Sequence, residues 1–253
     1  MTTVNDFYNY LDETAPFSAQ ESWDNSGLLV GSDEKEVQRV ALTLDLNNQT
    51  FSQAISLEAD LIITHHPVIF KPQKNFLSGN MAYELAKNDI SLISSHTCFD
   101  CAYGGVNDIL CDFLGLSRVE TVSSDSGENI LRAGFIDKMN SGNFARYVSK
   151  QLNANVRCGL LDKEIETVAV CSGAGADFIE QVGEMGIDAF VTGDASHHDF
   201  LDAEQAGVFL VAAGHFETEN PAMSVLAGRL RAEFPETEII VLSEENPIKY
   251  IQG

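Results

Sequence analysis

Short apolar stretches alternate along the chain with longer amphipathic stretches, a pattern that predicts alternating strands and helices. The predicted strands cover residues 40–44, 61–64, 90–95, 133–136, 168–171, 189–192 and 208–213. The predicted helices cover residues 4–12, 49–57, 80–88, 105–114, 142–152, 175–185, 196–206 and 221–233. Strands such as LIIT (61–64) and VFLVAA (208–213) are apolar without alternation, so we expect both of their faces to be buried. The pattern predicts an α/β fold with mostly parallel sheets flanked by helices.

The chain contains a degenerate internal repeat. Residues 37–66 align without gaps with residues 165–194 at an offset of 128, and both segments read strand, turn, helix, strand and polar tip. The alternative, that any two β-α-β units resemble each other this closely, stays open. The repeat predicts two interlinked, similar α/β lobes, which we place at residues 1–125 and 126–253, with SSDSGEN (123–129) at their boundary. Because ligands bind at the carboxyl ends of parallel strands, the two polar tips are expected to face one cleft.

Composition narrows the class of protein. The formal charge is −23, from 38 acidic and 15 basic residues, and no cluster of Lys or Arg stands out, so nucleic acid is not an expected partner. No apolar run approaches the roughly 18 residues that cross a bilayer, and no signal peptide is evident at the N-terminus. Five scattered cysteines suit reduced thiols. We therefore expect a cytoplasmic protein with no membrane partner.

The six histidines indicate the chemistry, because each follows an apolar strand. They occur in THHP (His65, His66), SSHTCFD (His96), DASHHDF (His197, His198) and AGHFETE (His215). Two carboxylates share one spacing: Asp100 lies four residues after His96, and Glu219 lies four residues after His215. Histidines combined with carboxylates on converging loops are typical ligands of Mn, Fe, Co, Ni or Zn.

The spacing also suggests how two ions share these ligands. His65 and His66 are adjacent at a strand end, so their side chains leave in opposite directions, and each is expected to bind a different ion. Pro67 restricts His66 to an extended conformation. Asp100 and Glu219 are carboxylates, which can bridge two cations. We expect two divalent ions per subunit, their identity open among Fe, Mn, Zn, Co and Ni, with the ligands His65, His66, Asp100, His215 and Glu219.

Other candidates are left open. His96 is either a ligand or, as we favour, a residue that orients Asp100 or contacts substrate. We do not expect His197 or His198 to be ligands. Glu217, His96 and His198 are equal candidates for moving protons, and no residue is assigned a catalytic role.

Five ordered blocks resemble a known family. The blocks are ESWDNSGLLVGS (21–32), THHPVIFKP (64–72), SHTCFDCAYGGVND (95–108), TGDASHHDFLDA (192–203) and GHFETE (214–219). They resemble the signature blocks of the GTP cyclohydrolase I type 2 homologs, also called the Nif-three-like dinuclear metal-centre proteins. The resemblance implies a two-lobed α/β subunit with its metals at the inter-lobe cleft, assembled as a toroidal homohexamer. It places the family's metal ligands on the same five residues.

The chain departs from the family pattern in two places. Cys98 stands where the family more often has Asn. Only 114 residues separate Asp100 from His215, which leaves room for the second lobe but not for the middle domain inserted in longer members.

The ligand set leads to a hypothesis about function. We expect a metal-dependent hydrolase that uses a metal-bridging hydroxide to attack an electrophilic carbon or phosphorus of a small molecule. The family name implies a GTP cyclohydrolase-like ring opening, although the Gly-rich SGAGAD (172–177) is no Walker-type phosphate loop because it lacks GK[ST]. Two alternatives fit the same ligands: a non-enzymatic metal-binding or scaffold ring protein, and a di-iron oxidative enzyme.

Overall fold

The structure, a computed structural model, describes residues 1–123 and 129–251. It divides into two compact units: Met1–Tyr103 joined by Met223–Glu245, and Gly104–Ala222 joined by the segment from Asn246 onward. The chain thus leaves the first unit and later returns to it, so the units are interlinked. The boundary predicted between residues 125 and 126 lies outside the described residues and stays a prediction.

The first unit is built on a five-stranded sheet in the order β1-β4-β3-β2-β11. Its elements are α1 (Val4–Thr14), β1 (Gly27–Val30), β2 (Arg39–Thr43), α2 (Asn48–Ser56), β3 (Leu61–Thr64), α3 (Met81–Lys87), β4 (Ser91–Ser94) and the short α4 (Thr97–Cys101), followed near the end of the chain by α10 (Pro221–Glu233), whose first two residues belong to the second unit, and β11 (Glu238–Val241). β11, β2, β3 and β4 are parallel, and β1 lies antiparallel to β4 at the edge.

The central strands of this sheet form because their residues are apolar on both faces. All four residues of β3 are buried, as are those of β4. α2 begins where the side chain of Asn47 accepts hydrogen bonds from the backbone N–H groups of Gln49 and Thr50. These N–H groups have no acceptor within the first helical turn, so the cap stabilises the start of the helix. One core cluster of this unit comprises Ala41, Ala54, Ala59, Ile62, Leu85, Ile90, Leu92 and Leu242.

The second unit contains a six-stranded sheet in the order β5-β6-β8-β9-β10-β7. Its elements are α5 (Val106–Phe113), β5 (Ser117–Val122), β6 (Leu131–Asn140), α6 (Ser141–Leu152), β7 (Arg157–Cys158), β8 (Glu164–Cys171), α7 (Ile179–Glu184), β9 (Ala189–Thr192), α8 (His197–Gln205), β10 (Phe209–Ala212) and the short α9 (His215–Glu219). β8, β9 and β10 are parallel at its centre, whereas β5, β6 and β7 pair antiparallel. The α/β class with two helix-flanked sheets is confirmed; the first sheet is mostly parallel and the second is mixed.

β8 shows how this sheet buries both of its faces. Val168 and Val170 belong to one core cluster, whereas Ala169 and Cys171 belong to a second. Because alternate side chains of a strand point to opposite faces, one apolar run supplies both cores.

The internal repeat is confirmed by hydrogen bonding inside each unit. β2 pairs with β3 in the register Val40 to Leu61, and β8 pairs with β9 in the register Val168 to Ala189, so both strands are shifted by 128 residues. The side chain of Asp60 accepts from the backbone N–H groups of residues 38 and 39. Asp188 does the same for residues 166 and 167. An aspartate that accepts the same pair of backbone hydrogen bonds at equivalent positions in both units is a more specific likeness than any two β-α-β units share.

All seven predicted strands and all eight predicted helices are present, with shifted ends. The pattern of apolar residues did not predict four strands, β1, β5, β7 and β11, which are short or half exposed. It also missed α4 and α9, each of five residues. Throughout the two described stretches, no helix is long and apolar enough to cross a lipid bilayer.

Candidate metal centre

His65 and His66 lie directly after β3 and are held there by the backbone of the neighbouring strand. The N–H of His65 donates to the carbonyl of Thr43 over 3.4 Å, and that of His66 donates to the carbonyl of Leu44 over 3.1 Å. The two side chains then turn to different neighbours. His65 is fully buried and contacts the backbone at Ser95, beyond β4, whereas His66 contacts Asp45, beyond β2. This divergence follows from the alternation of side chains along a strand.

The imidazole rings of the first unit share one hydrogen-bonding arrangement. Nδ1 of His65 lies 2.9 Å from the carbonyl oxygen of Ser95, and Nδ1 of His66 lies 2.8 Å from Oδ1 of Asp45. Nδ1 of His96 lies 2.8 Å from Oδ1 of Asp24. A carbonyl or an ionised carboxylate can only accept, so Nδ1 carries the proton in all three rings.

This tautomer has a consequence for metal binding. In a neutral imidazole with its proton on Nδ1, the lone pair lies on Nε2, the nitrogen that then ligates a metal. His65, His66 and His96 each offer one ring nitrogen within 4.8 Å of the others. The first unit therefore brings together three oriented imidazoles.

Asp100 reaches the same place from α4. His96 is the residue before this helix, and its carbonyl accepts from the N–H of Asp100 over 3.1 Å. Asp100 is only 6% exposed, and its Oδ1 lies 3.5 Å from Nε2 of His65. Burying a carboxylate is costly unless a cation or hydrogen bonds compensate it. One helical turn thus sets the four-residue spacing that the sequence displays.

Asp24 anchors this side of the centre. Its carboxylate accepts from Nδ1 of His96, from the hydroxyl of Ser26 and from both the N–H and the hydroxyl of Thr97. Burial opposes its ionisation, but the hydrogen bonds from His96 and Thr97 hold the pKa of Asp24 well below its usual range. Asp24 therefore stays ionised and fixes the start of the helix that carries Asp100.

The second unit presents its own histidine and carboxylate on α9. Nε2 of His215 lies 3.2 Å from Oε2 of Glu219, and Nδ1 of His215 lies 2.8 Å from Oδ2 of Asp194. Burial favours the neutral ring, but the bonds to Glu219 and Asp194 prevail and raise the pKa of His215 to about 9. With Nδ1 facing Asp194, Nε2 is again the ring nitrogen left to face Glu219.

Glycines let the backbone pass close to this pair. Gly173 has a φ of +60°, and a Cβ there would lie 2.2 Å from Oε1 of Glu219. A Cβ at Gly193 would lie 2.8 Å from Cα of His215. The Gly-rich turn after β8 therefore leaves space for the carboxylate of Glu219.

A family model described as Duf34/NIF3 (NGG1p interacting factor 3) matches residues 2–247. The chain belongs to the DUF34/NIF3 family. A Campylobacter jejuni protein named GTP cyclohydrolase 1 type 2 homolog is 34% identical over 265 residues, covering 98% of this chain and 99% of its own length. A Clostridium perfringens protein of the same name is 30% identical over 260 residues, with the same coverage. These findings confirm the family resemblance seen in the sequence.

Solved structures resemble this DUF34/NIF3 chain along its whole length. A Staphylococcus aureus hypothetical protein matches with a TM-score of 0.90 at 27% identity, covering 98% of this chain and 99% of its own. Reduced HcgD from Methanocaldococcus jannaschii matches with a TM-score of 0.83 at 28% identity, covering 96% of this chain and 98% of its own.

Several residues singled out in the sequence have other contacts in this DUF34/NIF3 chain. His197 and His198 are exposed on the first turn of α8, which is capped by Ser196. Glu217 accepts a hydrogen bond from the side chain of Asn246 over 2.8 Å. Cys98 is buried with its sulfur 3.6 Å from the hydroxyl of Ser95. Burial raises the pKa of the Cys98 thiol, so it is not poised to act as a thiolate ligand.

The sequence missed the oxygens that orient the histidines in the DUF34/NIF3 chain. Asp45 follows β2 in the same way that the histidine pair follows β3, so its position at a strand end was an available signal. Asp24 lies in the block ESWDNSG but 72 residues from its partner His96, and spacing alone could not connect them. The described residues thus contain groups of His, Asp and Glu that could hold a metal ion.

Proposed function

We propose that this chain binds two divalent metal ions through His65, His66, Asp100, His215 and Glu219, and that it is a metal-dependent hydrolase. One observation carries the proposal: all three histidines in this set have Nδ1 on an acceptor-only oxygen. An acceptor behind the ring fixes its orientation and raises the basicity of Nε2, as is typical of histidines that ligate metals.

The distances inside each unit support the same conclusion. Two ligands about 2.1 Å from one ion, at an angle of about 90–110°, lie about 3.0–3.4 Å apart. Nε2 of His215 and Oε2 of Glu219 are separated by 3.2 Å, inside this range, and Nε2 of His65 and Oδ1 of Asp100 by 3.5 Å, just above it. Mixed imidazole and carboxylate ligands favour Mn, Fe, Co, Ni or Zn over Mg or Ca.

The residues of the chain would contribute preorganisation to this reaction. Two bound divalent ions supply Lewis acidity and lower the pKa of water in the site. The chain buries His65 and Asp100 away from bulk solvent. Charge interactions in such a buried site are stronger than in water. Asp24, Asp45 and Asp194 each hold one imidazole by its Nδ1. The name of the relatives supports a GTP cyclohydrolase-like activity as the first reaction to assay, and the resemblance to the family supports a homohexamer.

Metal content is the decisive measurement. Protein purified without chelator and then loaded with Mn, Fe, Co or Zn is expected to hold about two ions per chain by elemental analysis. His65→Ala is expected to lower that number, whereas His197→Ala, which removes an exposed histidine, is expected to leave it unchanged. Fewer than one ion per chain after titration would refute the metal centre.

Turnover tests the second half of the proposal. The loaded protein is expected to hydrolyse members of a panel of nucleotides, phosphodiesters and cyclic amides faster than His65→Ala does. Two bound ions without any metal-dependent turnover would favour the non-enzymatic metal-binding ring instead. Dioxygen uptake on adding ferrous iron would favour the di-iron oxidative enzyme.

A further inference from the structure

Three aromatic rings of the first unit, those of Trp23, Phe70 and His96, form a ring cluster. The centroids of Trp23 and Phe70 are 5.6 Å apart, those of Trp23 and His96 5.8 Å, and those of Phe70 and His96 6.2 Å. The two pairs that involve His96 meet edge to face, and the Trp23–Phe70 pair is tilted. These are the separations at which aromatic rings attract one another.

The ring cluster stands open to solvent although it is largely apolar. Trp23 is 55% exposed and Phe70 is 44% exposed. Rings of this size normally contribute to a core, where each buries about 150–250 Å². Apolar and aromatic surface beside a few oriented polar groups is the combination that small-molecule sites use.

Polar contacts behind the ring cluster hold it in place. The side chain of Asn25, two residues after Trp23, donates to the carbonyl of Ile69, which directly precedes Phe70, over 2.6 Å. Asp24, which directly follows Trp23, holds the ring of His96. The two loops are therefore fastened together through residues one or two positions along the chain from the rings. Such fastening preorganises the exposed rings and lowers the entropic cost of contacting a ligand.

The ring cluster adjoins the candidate ligands of the first unit. The ring of His96 lies 5.1 Å from that of His65 and 5.3 Å from that of His66. A molecule lying on Trp23 and Phe70 would thus have its nearest polar groups within reach of these imidazoles.

We propose that the ring cluster binds the planar heteroaromatic ring of the small molecule on which the metal centre acts. This inference rests on the proposed function. Stacking suits the surface because every heteroaromatic ring has a face that an aromatic side chain can contact. The exposed parts of Trp23 and Phe70 amount to roughly 200 Å², well below the roughly 800 Å² per partner of a stable protein interface, so a small ring is the occupant that fits.

Fluorescence gives a selective test, because Trp23 is the only tryptophan of the chain. The full chain is loaded with Zn²⁺, which does not quench by itself, and titrated with guanosine monophosphate, uridine monophosphate or ribose 5-phosphate. We expect the two ring-bearing probes to change Trp23 emission in a saturable way and ribose 5-phosphate, which lacks a ring, to leave it unchanged. Equal responses to all three probes, or no response up to millimolar concentration, would overturn the proposal.

Matched variants separate stacking from general apolar contact. Phe70→Leu keeps an apolar side chain but removes the ring, and we expect it to weaken the binding of the ring-bearing probes about tenfold. Phe76→Leu is the control, because Phe76 follows on the same segment, is 48% exposed and lies outside the ring cluster. Equal affinities of the two variants would count against the proposal.

Two further readouts identify what has failed. Elemental analysis is done on every sample: a wild-type chain without metal refutes the proposed function, whereas a loaded chain that ignores the ring-bearing probes refutes only the ring cluster's role. Trp23 emission is also measured on dilution without probe. A shift on dilution would mean that a second copy of the chain covers these rings, which overturns the small-molecule proposal.

Discussion

Replacing Gly173 by alanine is expected to displace Glu219, which we propose as a metal ligand, from its present position. The added Cβ would lie 2.2 Å from Oε1 of Glu219 and 3.3 Å from Cε1 of His215. An ordinary contact between carbon and oxygen needs more than 3 Å, so the carboxylate must retreat by about 1 Å. Glu219 is 4% exposed and lies on the one-turn helix α9, so it has little room for that movement.

The size of the effect has two parts. Alanine at a φ of +60° costs about 1–2 kcal/mol of folding free energy through backbone strain alone. For a chain of this length that loss lowers Tm by about 2–8 °C. The displaced carboxylate adds a second loss, in metal affinity, which we expect to be at least tenfold because ligand geometry controls binding.

Gly207→Ala is the matched control for the backbone part. Gly207 has a φ of +72°, but a Cβ there would meet no atom within 4 Å. Both variants should therefore lose the backbone contribution in thermal unfolding without metal, and Gly173→Ala should lose more than Gly207→Ala because it also displaces the buried Glu219. Only Gly173→Ala should lose metal affinity in isothermal titration with Zn²⁺ or Mn²⁺. Equal metal affinities in the two variants would show that the close contact with Glu219 is not what makes glycine necessary.

Three further predictions concern the orientation of His66, the protonation of His215 and the stability of the chain. Asp45→Asn keeps the shape but removes the charge behind His66, so metal affinity by titration should fall about 10- to 100-fold, and an unchanged affinity would contradict the orienting role. The pKa of His215 is about 9 in the metal-free chain, so its ring is protonated at neutral pH and binding must expel that proton. Below pH 9 affinity should fall about tenfold per pH unit, and calorimetry in two buffers of different ionisation enthalpy should detect the released proton; titration without any release would refute this. Asp108→Ala removes a carboxylate 2.5 Å from the buried guanidinium of Arg132, which should cost about 3 kcal/mol and lower Tm by about 6–12 °C with metal content unchanged.

The fold was largely predictable because its central strands are apolar on both faces. β3 and β9 begin and end where the sequence placed them, since a four-residue buried strand between polar residues leaves little choice. The short helices α4 and α9 were not predictable from periodicity, because one helical turn is too short to show a 3.6-residue repeat. In the sequence, these helices were indicated only by the four-residue spacing between a histidine and a carboxylate.

The candidate ligands were predictable from the sequence, whereas the aspartates that orient them were not. Histidines after strands are conspicuous in a chain that has only six. The aspartates behind them are not, because the chain has many carboxylates and the contacts are long-range: 21 residues separate Asp45 from His66, and 72 separate Asp24 from His96. Only the tertiary structure selects these two among 38 acidic residues.

The repeat explains why Gly173 and Asp45 carry opposite requirements at equivalent positions. The offset of 128 that relates β2 and β3 to β8 and β9 places Asp45 on Gly173 and His66 on Asp194. In the first unit the position after β2 supplies a carboxylate that orients a histidine after β3. In the second unit the position after β9 supplies the orienting carboxylate itself, and the position after β8 must be small because Glu219 lies against it. The same scaffold thus holds an imidazole in both units, but from different strand ends. We therefore expect Asp45→Gly and Gly173→Asp each to weaken metal binding when it is measured by titration.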